Sequence, residues 1–208
     1  MRVGAGLIAV ALLVALPSVA GADIQREGPE VWYSKHELSA HLGYQLSFGG
    51  QVGDPHGLRL DAEYAYRFHP LVWFDVQIGQ LFGFGARDGA CLKNTAALCY
   101  RGGWMTSVSA GVKLKFVTQK VPLVIEVPIL LGVGGMYNRE CGDDGASVPY
   151  FHAGAGIKYF IKQRIGIGGN VGVDLGPAFH EGTACKGGPR YTDFYGAIQF
   201  SLGAEFIL

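Results

Sequence analysis

Charge is scarce in this sequence. Only 16 % of the 208 residues are Asp, Glu, Lys or Arg, and the two signs cancel at 17 each. A soluble domain usually carries about a quarter charged residues, and a nucleic-acid surface needs a basic excess, so neither class fits well. Long apolar runs are also missing beyond residue 22. The nearest to one, VPLVIEVPILLGVGG at 121–135, is interrupted by Pro122, Glu126 and Pro128, whereas a spanning helix needs about 20 apolar residues. Helical periodicity is nearly absent. Cysteine is limited to four residues with no C-x-x-C pair and no neighbouring His, which argues against a metal cluster. What remains is a chain that is either soluble or crosses a membrane as strands.

Glycine, by contrast, is abundant, at 33 residues without a G-X-Y period. It points to many turns and many close approaches of backbone to backbone. Residues 1–22 read as a cleaved signal peptide: Arg2, an apolar run ending at Leu16, a break at Pro17, and small residues at Ala20 and Ala22. Residues 23–36 read as a short lead-in, and 37–208 as one domain. Glycine-rich GIGGNV (166–171) and GAGI (154–157) complete no phosphate-binding motif.

The domain alternates. In LRLDAEYAYRF (58–68), Leu58, Leu60, Ala62, Tyr64, Tyr66 and Phe68 share one face, while Arg59, Asp61, Glu63 and Arg67 share the other. Period two is the signature of a β-strand. Similar stretches fall at about 38–48, 72–82, 104–116, 123–134, 150–160, 165–175 and 193–207, making eight strand candidates. Short connections at His69-Pro70, Gln119-Lys120 and Lys162-Gln163 alternate with long polar ones at 49–57, 83–103, 135–149 and 176–192. An up-and-down barrel sorts its loops this way.

Which face turns inward is decided by glycine. Gly43, Gly111, Gly154, Gly156, Gly166, Gly168, Gly172 and Gly203 all share the charged face. A water-facing sheet has no use for them there, because glycine weakens a strand; a narrow lumen needs small residues beside long ones. The charged face is therefore expected inside, with the apolar face toward lipid. Aromatics near strand ends (Trp73, Phe74, Trp104, Tyr150, Phe160 and Phe206 among them) read as interfacial girdles.

The expected lumen network comprises Arg59, Asp61, Glu63, Arg67, Asp75, Lys113, Lys115, Glu126, Lys158, Asp174 and Glu205, with Glu37, His41, His152, Arg164 and Asn170 alongside. Acids and bases nearly balance. A two-residue turn at Gln119-Lys120 would set Lys113 opposite Glu126. Charges taken out of bulk water must be paired, and eight strands leave room only for side chains, so a salt-bridged plug is expected, with a narrow conduit as the alternative. Pro128 lies mid-strand and predicts a bulge or a locally broken ladder. Cys91, Cys99, Cys141 and Cys185 all fall in long loops; disulfides are expected, with Cys91–Cys99 and Cys141–Cys185 preferred among three pairings.

The strand and loop rhythm over 37–208 resembles the small eight-stranded outer-membrane β-barrels, the family that includes outer-membrane protein A. The end of the chain adds to this: Ser201-Leu202-Gly203-Ala204-Glu205-Phe206-Ile207-Leu208 is similar to the terminal assembly signal of such barrels, carried by Gly203, Phe206 and Leu208, with Leu208 replacing the usual aromatic. The resemblance implies an all-β, eight-stranded antiparallel up-and-down transmembrane barrel in the outer membrane of a Gram-negative bacterium. It further implies extracellular loops, periplasmic termini, lipid and the barrel-assembly machinery as partners, and a loop surface open to an extracellular ligand. No cofactor and no nucleic acid are expected. A structural or surface-interaction role is the first functional expectation, a porin-like channel the second, and lipid-A modification a distant third. Catalysis is not expected: His152 could serve as base, Ser107 or Ser109 as nucleophile and Asp174 as orienting acid, but where the deacylases place a Ser two residues after the His, this chain has Gly154.

Overall fold

The computed structural model describes residues 34–48, 56–83, 103–117, 122–138, 145–180 and 191–208. These residues form eight strands: β1 (His36–Phe48), β2 (Gly57–His69), β3 (Val72–Gly83), β4 (Gly103–Val117), β5 (Leu123–Asn138), β6 (Gly145–Lys162), β7 (Ile165–His180) and β8 (Tyr191–Ile207). Each strand pairs antiparallel with its sequence neighbour, and β1 pairs with β8, so the sheet closes into a barrel. Closure leaves no unpaired edge, as a spanning sheet requires.

All eight expected strands are present, but several are longer than alternation alone suggested. Residues 135–138 belong to β5, 145–149 to β6, 176–180 to β7 and 191–192 to β8. The expected loops at 135–149 and 176–192 are shorter by those residues. Alternation is hard to read there because glycine and proline interrupt it, whereas ladder pairing with the neighbouring strand carries the extended backbone on. Cys91, Cys99, Cys141 and Cys185 lie outside the described residues, as does the stretch 1–33.

Register corrects one pairing. Lys115, not Lys113, stands opposite Glu126, and Lys113 stands opposite Pro128. Val117 pairs with Val124, a register offset by two residues from the one a two-residue turn at Gln119-Lys120 would set. Pro128 does break the ladder locally. On its β6 side, pairing passes from Glu126↔Gly156 to Ile129↔Ala153 without a shift in register, so the donor is lost but no residue is bulged out. The same thing happens between β6 and β7, where pairing passes from Ser147↔Phe179 to Phe151↔Leu175. That offset sets Pro149 opposite Pro177, and neither can donate a ladder bond.

The outer surface is apolar. Leu131 and Leu202 are 70 % and 72 % exposed, and Phe74, Trp104, Phe116, Phe151, Phe200 and Phe206 also point outward. Exposing so much contiguous apolar surface to water would be costly, whereas a hydrocarbon solvent accepts it. Three aromatics expected in the girdles are instead inside: Trp73, Tyr150 and Phe160 are buried. Each is in phase with the lumen set of its strand (Trp73 with Asp75, Tyr150 with His152, Phe160 with Lys158), so the pleat turns them inward.

Glycine makes room for the long inward side chains. A Cβ on Gly203 would lie 2.2 Å from Nδ1 of His41 and 2.6 Å from the Ala40 carbonyl oxygen; one on Gly172 would lie 2.5 Å from Cε1 of His152. These positions on the charged face are small because histidines occupy the space above them.

The apolar exterior predicts that Leu202→Arg weakens insertion into a bilayer by roughly 2–4 kcal/mol if Leu202 lies near the midplane. Urea titration of folding into liposomes, compared with wild type, measures this directly; an unchanged midpoint would mean that this face does not meet lipid.

Candidate functional site

The lumen is filled in levels, because inward residues of neighbouring strands fall at matching heights. Apolar side chains occupy the end with the two tight turns. Val124, Phe160 and Ile207 cluster there, with Val117 packed against them.

The lowest charged level joins five strands. Lys115 Nζ on β4 lies 2.8 Å from Glu126 Oε1 on β5 and 3.4 Å from Glu205 Oε1 on β8, and it also donates to Glu37 on β1. Lys158 Nζ on β6 lies 2.9 Å from the other Glu126 oxygen and 3.8 Å from Glu37 Oε1, and it donates to Glu205. Glu126 is thus shared by two ammonium groups. Trp73 lies beside them, its ring centroid 4.5 Å from Lys115 Nζ and 5.8 Å from the Arg67 guanidinium carbon. An indole face stabilises a cation there by about 0.5–2 kcal/mol.

Above this level, Lys113 on β4 donates to Glu63 on β2 and lies 3.3 Å from Asp75 Oδ2 on β3. His41 Nε2 on β1 is 3.6 Å from Glu63 Oε2. The Asn170 side-chain amide nitrogen on β7 is 3.3 Å from His41 Nδ1.

The uppermost charged level centres on Arg59. Its Nε donates to Asp61 at 2.7 Å, one terminal nitrogen donates to Gln45 at 2.7 Å and to Asp174 at 3.4 Å, and the other reaches Ser107 at 3.4 Å. Asp174 is also 2.6 Å from His152 Nδ1 and accepts from Gln199. Gln45 donates to the Tyr195 hydroxyl at 2.7 Å. Beyond Tyr195 the lumen turns apolar again: Leu81, Met105, Met136, Val148 and Tyr150 pack with it into one buried cluster.

Among the charges expected inside, Arg59, Asp61, Glu63, Asp75, Lys113, Lys115, Glu126, Lys158, Asp174 and Glu205 are all buried in the lumen. Arg67 is only half-buried, at the tight-turn end, and Arg164 is exposed in the β6–β7 turn. The expected near-balance of acids and bases is corrected accordingly, since without those two cations carboxylates are in excess among the described buried residues. At the chain end, Gly203 faces the lumen beside His41, while Phe206 and Leu208 point outward. The apolar cluster was missed from sequence, though its signal was there: Met105 is in phase with Ser107 and Ser109, and Tyr195 with Gln199.

Of the groups weighed for catalysis, the structure brings His152 and Asp174 together, at 2.6 Å. His152 Nδ1 is committed to Asp174, and its Nε2 lies toward Gly154 and Gly172. Ser107 sits beside Arg59, and Ser109 donates to Gln77 at 3.5 Å.

No protein-family model matches the sequence, and no curated protein matches it. Solved structures do. Neisserial surface protein A is similar at a TM-score of 0.60 and 12 % identity, over 88 % of this chain and 100 % of that one. Outer membrane protein OprG from Pseudomonas aeruginosa is similar at 0.52 and 8 %, over 86 % and 99 %. The outer membrane protein AlkL is similar at 0.52 and 13 %, over 93 % and 97 %.

Removing one member of a buried ion pair strands the other. Lys113→Met should therefore cost about 3–5 kcal/mol of unfolding free energy, and Lys113→Met combined with Glu63→Met should recover part of it. Urea unfolding followed by heat-dependent gel mobility checks both variants. Shape, register and the division between charged inside and apolar outside lead to one statement about the chain: it has the fold of the eight-stranded outer-membrane β-barrels.

Proposed function

We propose that this protein is an integral outer-membrane barrel with a closed lumen, and that it serves a structural or surface-interaction role through its long loops. The observation that carries this reading is the lumen filling. Charged side chains from β1, β4, β5, β6 and β8 meet around Glu126, and the Met105–Tyr195 cluster closes the lumen toward the long loops. A conducting pore would need a continuous wet path with binding weak enough for ions to leave. Here each ammonium is held by two or more carboxylates, and the lumen holds a cavity of only about 30 Å³.

The role then falls to the connections at the other end of the barrel. Disulfides among Cys91, Cys99, Cys141 and Cys185 would brace them, and bracing lowers the ordering cost of binding a partner. Lipid surrounds the apolar belt, and Gly203, Phe206 and Leu208 present the assembly signal. The chemistry of the lumen favours no catalytic step, because His152 faces glycines.

Conductance in a planar bilayer tests the reading. The folded barrel should give no discrete openings, while Arg59→Ala combined with Tyr195→Ala, which removes the upper bracing, should admit ions. Discrete openings in the wild-type protein that shift on neutralising Glu63 would make it a narrow channel instead.

A further inference from the structure

The buried charges of the lumen do not cancel. Among the described residues, seven carboxylates are buried against four cations. At the lowest level, three glutamates meet two cations, Lys115 and Lys158. At the uppermost level, Asp61 and Asp174 meet Arg59, and Asp174 is bonded further to the His152 ring at 2.6 Å and by Gln199. At the middle level, where the His41 ring lies 3.6 Å from Glu63, the shortfall borders a cavity. Glu63 and Asp75 share Lys113, and Lys113 donates to Glu63.

Asp75 is the group left over. It is wholly buried, and its Oδ1 has no hydrogen-bond partner; nor does His41 Nε2 or Asn170 Oδ1. All three residues, with Glu63 and Gln77, edge the cavity of about 30 Å³. A single water needs roughly 10–15 Å³ measured this way, so the space admits about two particles of that size. Lys113 also lines this cavity, but it is shared between Asp75 and Glu63, and an ionised carboxylate with an unbonded oxygen there is expensive unless further positive charge lies beside it.

We propose that this cavity is a binding site for one alkali cation, held with a water between Asp75, Asn170 and Glu63. Oxygen donors suit a hard cation. One surplus negative charge at this level sets the valence at one. A divalent ion would want several converging carboxylates, and among the described residues the set close enough to chelate is Glu37, Glu126 and Glu205. Lys115 and Lys158 already lie among those three. Apolar side chains stand at both ends of the lumen, so the ion is taken up as the barrel closes and stays there as a counter-charge. The site does not depend on what the loops bind.

The test is to refold the protein from urea into detergent with sodium, potassium or N-methylglucamine chloride at equal ionic strength and to follow thermal unfolding. The fitting alkali ion should raise the midpoint by about 2–4 °C over N-methylglucamine, and Asp75→Asn should abolish that difference. Equal midpoints in all three salts would overturn the proposal, as would an increment that Asp75→Asn retains. A response to magnesium or calcium chloride but not to the alkali salts would overturn the assigned valence. Should Asp75→Asn fail to fold, wild-type crystals grown in thallium(I) decide the matter. An anomalous peak beside Asp75 supports the site, and a cavity without one refutes it.

Discussion

Glu126 holds the lumen together. Both of its oxygens are taken by ammonium groups, one from β4 and one from β6, and those ammoniums reach on to glutamates of β1 and β8. Ladder hydrogen bonds join only neighbouring strands. This cluster adds contacts across the barrel, between strands that the ladder never brings together. Its cost is high, because each ion has lost its water, and it is met only because every ion has more than one partner. The result is a brace that tolerates little rearrangement, since moving one strand unpairs charges on several others.

The glycines follow from that brace. Long charged side chains from one strand can lie across the lumen only where the strand beside them carries nothing. Gly168 leaves space for Lys158, Gly79 for the Asp61 carboxylate, and Gly203 for His41. The prolines are the other departure from an ideal ladder. Pro128, Pro149 and Pro177 interrupt hydrogen bonding beside β6 without shifting its register. Pairing on either side of each gap holds the strands in step, so the barrel keeps its alternation while giving up a few donors. The charged lumen and the apolar belt both depend on that phase, because a slip of one residue would exchange them.

Much of this was legible beforehand. Strand number, inside and outside faces, and the buried set from Asp61 to Glu205 all follow from period two together with the glycines on the charged face. Three aromatics were misread, since Trp73, Tyr150 and Phe160 sit near strand ends as girdle residues do. Their phase, not their type, puts them inside. The Lys113–Glu126 pairing failed for a different reason: register across a hairpin depends on where the chain turns, which composition does not reveal. The Met105–Tyr195 cluster was missed because a polar lumen was expected to stay polar throughout.

The sequence by itself determined which residues face lipid and which face the lumen, because side chains on a strand can leave it in only two directions. It also determined that the lumen would carry both signs of charge. The tertiary structure alone decided who pairs with whom. Lys113 is drawn to Glu63 and Asp75 on the strands to one side, and Lys115 to Glu126, Glu37 and Glu205. Those choices depend on the relative heights of strands far apart in the chain, which the closure of β1 onto β8 fixes. Only closure exposes the leftover carboxylate at Asp75, since a charge surplus within one level of the lumen does not exist until the levels are formed.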